Sequence, residues 1–333
     1  MLTYVLGILA MFLVLGRMGY LFEKTAEAND KKRFPPPGRL IDVGGFKLHL
    51  RCLGEHERGK PMVILESGHG LWSSSWNPII EETAQFTRVC AYDRAGYGWS
   101  ERSSRPHTPQ QVATELHALL MNAGESGPYV LVGHSLGGLF TRQYFTQYPE
   151  EVAGMVLVDA LPERLSEYLP TYQQLQRSSL LSLCMLATLA RFGLARLLGQ
   201  RRLQEQTKYI LPEDRASYAA QSVSTPYLNS LCEETAEVNR FIGQKPSLAG
   251  LGDRPLVVIK AYYPEKYPGR RGYTAESWKQ LIQGWSILQK EFLSLSSQSR
   301  YIESKSDHGS VIAEEPGVVI EAIRWAVESA QRK

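Results

Sequence analysis

Short apolar runs recur along the chain, separated by stretches in which apolar residues return every three or four positions. The runs occupy 61–67 (PMVILES), 87–92 (TRVCAY), 129–133 (YVLVG), 154–158 (GMVLV), 255–261 (PLVVIKA) and, more briefly, 301–303. Ahead of them, 39–43 and 46–53 flank Gly44-Gly45 and read as an opening hairpin. The central runs are continuously apolar rather than alternating, as in parallel strands covered on both faces. Helical stripes lie between them: Val112, Leu116, Leu119 and Leu120 share one face of 110–123, and similar patterns fill 136–148 and 318–330. This alternation predicts a mostly parallel α/β sheet with helices on both sides. The interval 161–250 breaks the rhythm. It is too long for a simple crossover and is helical in pattern, so it is expected to be an inserted cap over the C-terminal edge of the sheet. Within it, 178–199 carries only Arg191 and Arg196 as charges, and its apolar residues wrap most of the helix. The favoured expectation is burial between cap and core; the alternative is a face that lines an acyl pocket or touches lipid.

The N-terminus has a different pattern. Residues 1–22 are apolar apart from a few small or aromatic polar positions and Arg17, and about 20 such residues cross a bilayer. Residues 1–22 are therefore expected to be a membrane anchor, 23–38 a polar linker ending in Pro35-Pro36-Pro37-Gly38, and 39–333 the folded domain. A cleaved signal peptide is the alternative, because Ala26-Glu27-Ala28 has the small-x-small form, although no basic stretch precedes the apolar run. The flanking basic residues favour a cytoplasmic domain under the positive-inside rule; a secreted protein is the other outcome.

Composition narrows the classes little further. With 43% apolar and 21% charged residues, the 333-residue chain is globular and not disordered. The net charge is +3, of which the first 33 residues hold +2, so no basic stripe points to nucleic acid. Cys52, Cys90, Cys184 and Cys232 form no CxxC pair, which argues against a zinc or thioredoxin-like site; Cys90, in an apolar run, reads as a small buried hydrophobe. No metal or cofactor is implied.

The chemistry is concentrated in Gly133-His134-Ser135-Leu136-Gly137, a G-x-S-x-G motif between a strand and a helix. A sharp turn there lifts the serine hydroxyl clear of the sheet. Of seven histidines, His308 follows the last strand and lies at the same sheet edge as Ser135, which makes it the expected base; His134, beside the serine on a tight turn, is a poor one.

These motifs, GHSLGG at 133–138, YDRAGYGWS at 92–100 and DHG at 307–309, resemble those of cap-bearing serine hydrolases of the α/β-hydrolase fold superfamily. The resemblance covers nearly all of the chain after residue 40 and implies an eight-stranded sheet with an inserted helical cap. A serine at the elbow argues against relatives that use an aspartate nucleophile. The family's acid most often follows the seventh strand, where this chain offers Glu265 and no aspartate; some members place it after the sixth, where Asp159 stands. Asp159 is the preferred acid. The resemblance further implies an oxyanion hole from the backbone N–H groups of His69 and Leu136, with Leu71 as second choice for the former. Ser67 stands where many relatives have histidine, which leaves the hydrogen bonding of that loop open. The 93–98 segment is expected to be a folding element without a catalytic role. The implied activity is cleavage of an ester or lipid-like acyl substrate. Amidase, thioesterase or peptidase chemistry, or a non-catalytic membrane-tethered binding protein, are the alternatives.

Overall fold

The computed structural model describes residues 1–333 except 58, 170–171, 200–209, 245, 270–272 and 333, with backbone only for 172–177. An eight-stranded sheet has the order β1-β2-β4-β3-β5-β6-β7-β8. Its strands are β1 (Arg39–Asp42), β2 (Lys47–Leu53), β3 (Met62–Glu66), β4 (Val89–Tyr92), β5 (Tyr129–His134), β6 (Val152–Val158), β7 (Leu256–Tyr262) and β8 (Ser299–Asp307). β1 and β2 pair antiparallel and β2 joins β4 antiparallel; every other pairing is parallel. β3, β4 and β5 are buried along their whole length, as their unbroken apolar runs require.

Strand alternation divides the core in two. Met62, Ile64 and Leu131 face one layer, under α3 (Pro109–Ala123) and α4 (Leu136–Gln147). Val63, Leu65, Val130 and Val132 face the other, under α2 (Asn77–Thr83) and the closing helix α11 (Pro316–Gln331). The ends of α3 are written locally: the Thr108 hydroxyl accepts from the Gln111 N–H, Pro109 opens the first turn, and Gly124 closes the helix at φ 77°.

Between β6 and β7 the insertion holds α5 (Leu165–Tyr168), α6 (Tyr172–Ala190), α7 (Arg215–Gln221) and α8 (Thr225–Gly243). It docks on the segment after β3. Tyr227 and Tyr218 donate to the Gly70 carbonyl at 2.9 and 3.2 Å, and the Trp72 ring stacks on Tyr218 at 4.3 Å. After β7 come α9 (Ala275–Glu291), started by a Thr274/Ser277 capping box, and a short α10 (Val311–Glu314).

Three sequence expectations change. α1 runs unbroken over Leu2–Arg33, so 23–33 is helix and not linker; Glu23, the one buried residue of α1, pairs with Arg196 of the insertion at 2.9 Å. The apolar 178–199 segment is buried on one face only: Ala187, Ala190 and Ala195 are buried, whereas Leu181, Met185 and Leu197 are 66%, 59% and 66% exposed. Cys90 is buried but not free. It is disulfide-bonded to Cys52, its register partner on β2, and Cys184 on α6 is bonded to Cys232 on α8. Both pairings join residues far apart in the chain, so spacing did not reveal them.

Candidate active site

Parallel register brings the site together. His134 ends β5 opposite Val158 at the end of β6, and Val158 pairs with Ile259 of β7. Ser135 and Asp159 are therefore the next residues at one sheet edge. The Ser135 N–H donates to the Val158 carbonyl at 3.0 Å, and the Asp159 N–H to the Ile259 carbonyl at 2.6 Å. Both residues have positive φ, 54° and 45°, and they are the only non-glycine residues that do so among the described residues. That conformation costs roughly 1–3 kcal/mol for a residue with a Cβ and persists where surrounding contacts hold it. At Ser135 it aims the hydroxyl outward at the N-terminus of α4. At Gly68 a Cβ would be crowded, 3.0 Å from His134 Nδ1 and 3.2 Å from Ser135 Cβ.

His308 follows β8. Its Nε2 lies 2.9 Å from Ser135 Oγ and its Nδ1 2.5 Å from Asp159 Oδ2. A carboxylate only accepts, so Nδ1 carries the proton and Nε2 is left to accept from the serine. Asp159 is fully buried. Its Oδ1 accepts from the Ala261 N–H at 3.0 Å and Trp285 Nε1–H at 2.9 Å, and its Oδ2 accepts from Tyr263 at 2.6 Å. Burial alone would raise this carboxyl; the hydrogen bonds from His308, Tyr263 and Trp285 outweigh it and hold the group below its ordinary value. Glu265, the alternative acid, is exposed in the segment after β7, and it is Asp159 that meets His308 Nδ1.

His134 does not face the serine hydroxyl. Its Nε2–H donates to the His308 carbonyl at 2.8 Å, and burial, then the neighbouring His308, push its imidazole down to about 4. It is a neutral strut for the main chain of His308. His69 sits in the turn after β3, and its Nε2 meets Thr235 of α8 at 2.7 Å. Leu136 opens α4 directly after Ser135.

Arg94, in the 93–98 segment read as a folding element, has a structural role. It donates from Nη1 to the Ser67 carbonyl at 2.7 Å and from Nη2 to the Gly68 carbonyl at 3.0 Å, the two peptides preceding His69. The hydrogen bonding left open by Ser67 is supplied here. The same guanidinium binds Glu66 of β3 at 2.7 Å and Glu234 of α8 at 2.6 Å, with Tyr92 donating to Glu66 and Tyr97 to Glu234. One buried cation thus ties the loop beside Ser135 to both the sheet and the insertion. Burial pushes Glu66 up to about 7 against the pull of Arg94. Sequence reasoning missed Arg94, Glu66, Glu234, Tyr263 and Trp285; only the apolar surroundings of the carboxylates hinted that partners existed.

Residues 60–259 match the family model described as the alpha/beta hydrolase fold. The chain is 25% identical over 289 residues to the uncharacterized protein YqjL of Bacillus subtilis, covering 86% of this chain and 90% of that one. It is 25% identical over 332 residues to the "Probable transporter efuK" of Hormonema carpetanum, covering 88% of this chain but only 43% of that protein. Among solved structures, the enol-lactonase of Burkholderia xenovorans superposes with a TM-score of 0.56 at 18% identity, covering 87% of this chain and all of the other. That likeness is one of fold, and it is a fold shared with hydrolases. Because the family match takes in β3 to β7 together with the Ser135 turn, the chain belongs to the α/β-hydrolase fold family.

Proposed function

We propose that the protein is a membrane-anchored serine hydrolase that cleaves an ester or a related acyl bond. The observation that carries this reading is the unbroken relay from Ser135 Oγ through His308 to Asp159, at 2.9 and 2.5 Å. Ser135 attacks the acyl carbon while His308 Nε2 takes its proton and then returns it to the leaving oxygen. Asp159 remains ionised, fixes the Nδ1–H tautomer and stabilises the imidazolium. The backbone N–H groups of His69 and Leu136 face the charge that develops on the carbonyl oxygen. Water then repeats the sequence on the acyl-enzyme. Amides and thioesters fit the same machinery. A purely binding role is disfavoured, because a binding protein has no need of a serine in a strained backbone conformation within reach of an oriented histidine.

The anchor reading is supported by α1, which is long and apolar enough to cross a membrane and has no buried residue in its apolar window. A signal sequence passes the same test; the packing of Glu23 and Asp30 against Arg196 favours a helix that stays with the domain. We place the hydrolase domain on the side where thiols are oxidised, because two disulfides hold it together. This departs from the cytoplasmic face that the basic flank favours. In that flank Lys24 pairs with Glu27, and Glu23 and Asp30 supply further negative charge, so the positive bias is small.

Labelling with a fluorophosphonate probe tests the reading. The wild-type chain is expected to label at Ser135, and Ser135→Ala to lose both the label and about 10³-fold or more of ester turnover. A probe that labels Ser135→Ala as strongly as wild type overturns it.

A further inference from the structure

Over 178–190 the outward face of α6 carries no charge. Leu181, Met185 and Leu189 lie exposed on it, and Phe192, Leu197 and Leu198 continue the apolar surface around the turn at 191–193 into the short helix 194–199. Two hydroxyls on this face bond within the helix: Ser182 donates to the Ser178 carbonyl at 3.2 Å and Thr188 to the Cys184 carbonyl at 2.9 Å.

This hairpin is seated on α1. A Cβ at Gly19 would lie 2.5 Å from the Phe192 carbonyl oxygen, and one at Gly193 would lie 2.6 Å from the Phe22 ring, so the two backbones meet across glycines. The Phe192 ring also lies near Gly16. Gly16 and Gly19 belong to the apolar 2–22 stretch. Phe192 therefore sits up to six residues inside the end of that stretch, roughly 9 Å of helix rise. A bilayer that accepts 2–22 must reach the hairpin, at the depth typical of interfacial helices, about 5–10 Å. Arg196 fixes the arrangement through Glu23 and Asp30. The other face of α6, through Ala187 and Ala190, packs in one cluster with Trp72, three residues after His69. One helix, about 10 Å thick, therefore separates the apolar outer surface from the loop beside Ser135.

We infer that the 178–199 hairpin is a second membrane-seated element, sunk into the leaflet that α1 leaves, and that the site takes acyl lipids drawn from that leaflet. The inference rests on reading α1 as an anchor and the Ser135 site as hydrolytic. All four cysteines are paired, so an introduced cysteine is the one free thiol. Full-length Phe12→Cys, Met185→Cys, Leu197→Cys and Glu328→Cys chains would carry a polarity-sensitive label in phosphatidylcholine/phosphatidylglycerol vesicles containing a nitroxide lipid. Labels at 12, 185 and 197 are expected to be quenched by the nitroxide, and the label at 328 to be unaffected. Quenching at 12 alone overturns the hairpin and leaves the anchor; no quenching at 12 removes the anchor and this inference with it. A shielded but unquenched label at 185 and 197 means that a second copy of the chain covers the face, which also overturns the inference. For the substrate, Leu181→Glu/Leu197→Glu should keep turnover of a water-soluble acetate ester within about twofold and lose roughly tenfold on a long-chain ester held in vesicles. Equal effects on the two esters overturn the lipid assignment; absence of both activities in wild type removes the hydrolase reading instead.

Discussion

Asp159 shows how one residue is selected from two candidates. Both Asp159 and Glu265 follow strands at the sheet edge that carries Ser135, but only Asp159 is enclosed, with Ala261, Tyr263, Trp285 and His308 all donating to it. A buried carboxylate without donors would be costly; with four it is held ionised and oriented. Asp159→Asn is expected to lower kcat by about 10³–10⁴-fold, since an amide no longer fixes the Nδ1–H tautomer, whereas Glu265→Gln should stay within about twofold. Steady-state kinetics on a short-chain ester measures both, and the opposite ranking moves the acid to the seventh strand. The two positive-φ residues, Ser135 and Asp159, follow directly on adjacent parallel strands. Backbone strain is concentrated where side chains must leave the sheet at unusual angles.

At the scale of elements, α1 has two halves with different partners. Its first part, over 2–22, is exposed except where it meets the Phe192 turn; its second, over 23–33, is tied to the insertion through Arg196. Removing residues 1–22 should reduce firm membrane attachment to weak vesicle binding through the 178–199 hairpin and keep the Arg196 pairs. Removing residues 1–33 also strips both carboxylates from a partly buried guanidinium, and should lower stability by a further 1–3 kcal/mol or so. Urea unfolding of the two truncated proteins checks this; identical midpoints would mean that the 23–33 half contributes nothing to the fold. The hydrophobic pattern gave 23–33 as a linker because its residues are polar and precede three prolines. Its helicity comes from continuation of α1 and from charges that find their partners 160 residues or more away.

At the scale of the whole molecule, the Glu66–Arg94–Glu234 cluster joins the sheet, the loop preceding His69 and the insertion in one buried network. Two carboxylates share one cation, and burial leaves Glu66 with a pKa raised to about 7. A raised pKa means that the folded state holds a proton that the unfolded chain releases near pH 4.5. That contribution to stability is present below about pH 4.5 and is lost as pH rises to about 7. Glu66→Gln, neutral throughout, should remove this loss, so its unfolding free energy should fall less than that of wild type between pH 5 and 7, by on the order of 1–3 kcal/mol. Denaturant titrations at several pH values measure the difference; parallel curves would show that Glu66 is ionised throughout.

What the sequence determined by itself is what periodicity and local turn chemistry encode. Continuous apolar runs specify buried parallel strands, stripes specify the helices over them, and G-x-S-x-G specifies the strained serine turn, because each depends on residues within a few positions of one another. Ser135 and His308 were legible for the same reason: each follows a strand whose end the pattern marks. Only the tertiary structure decided which carboxylate meets His308, that Arg94 holds the loop of His69, that all four cysteines are paired, and that the apolar hairpin faces outward beside α1. Those outcomes depend on strand register and on the docking of an insertion, which bring together residues such as Asp159 and Trp285, or Arg94 and Glu234, that are more than a hundred positions apart. An apolar surface satisfies the same pattern whether it faces inward or outward, so the pattern of 178–199 could not choose between them; the docking of the insertion, with Gly19 against Phe192, did.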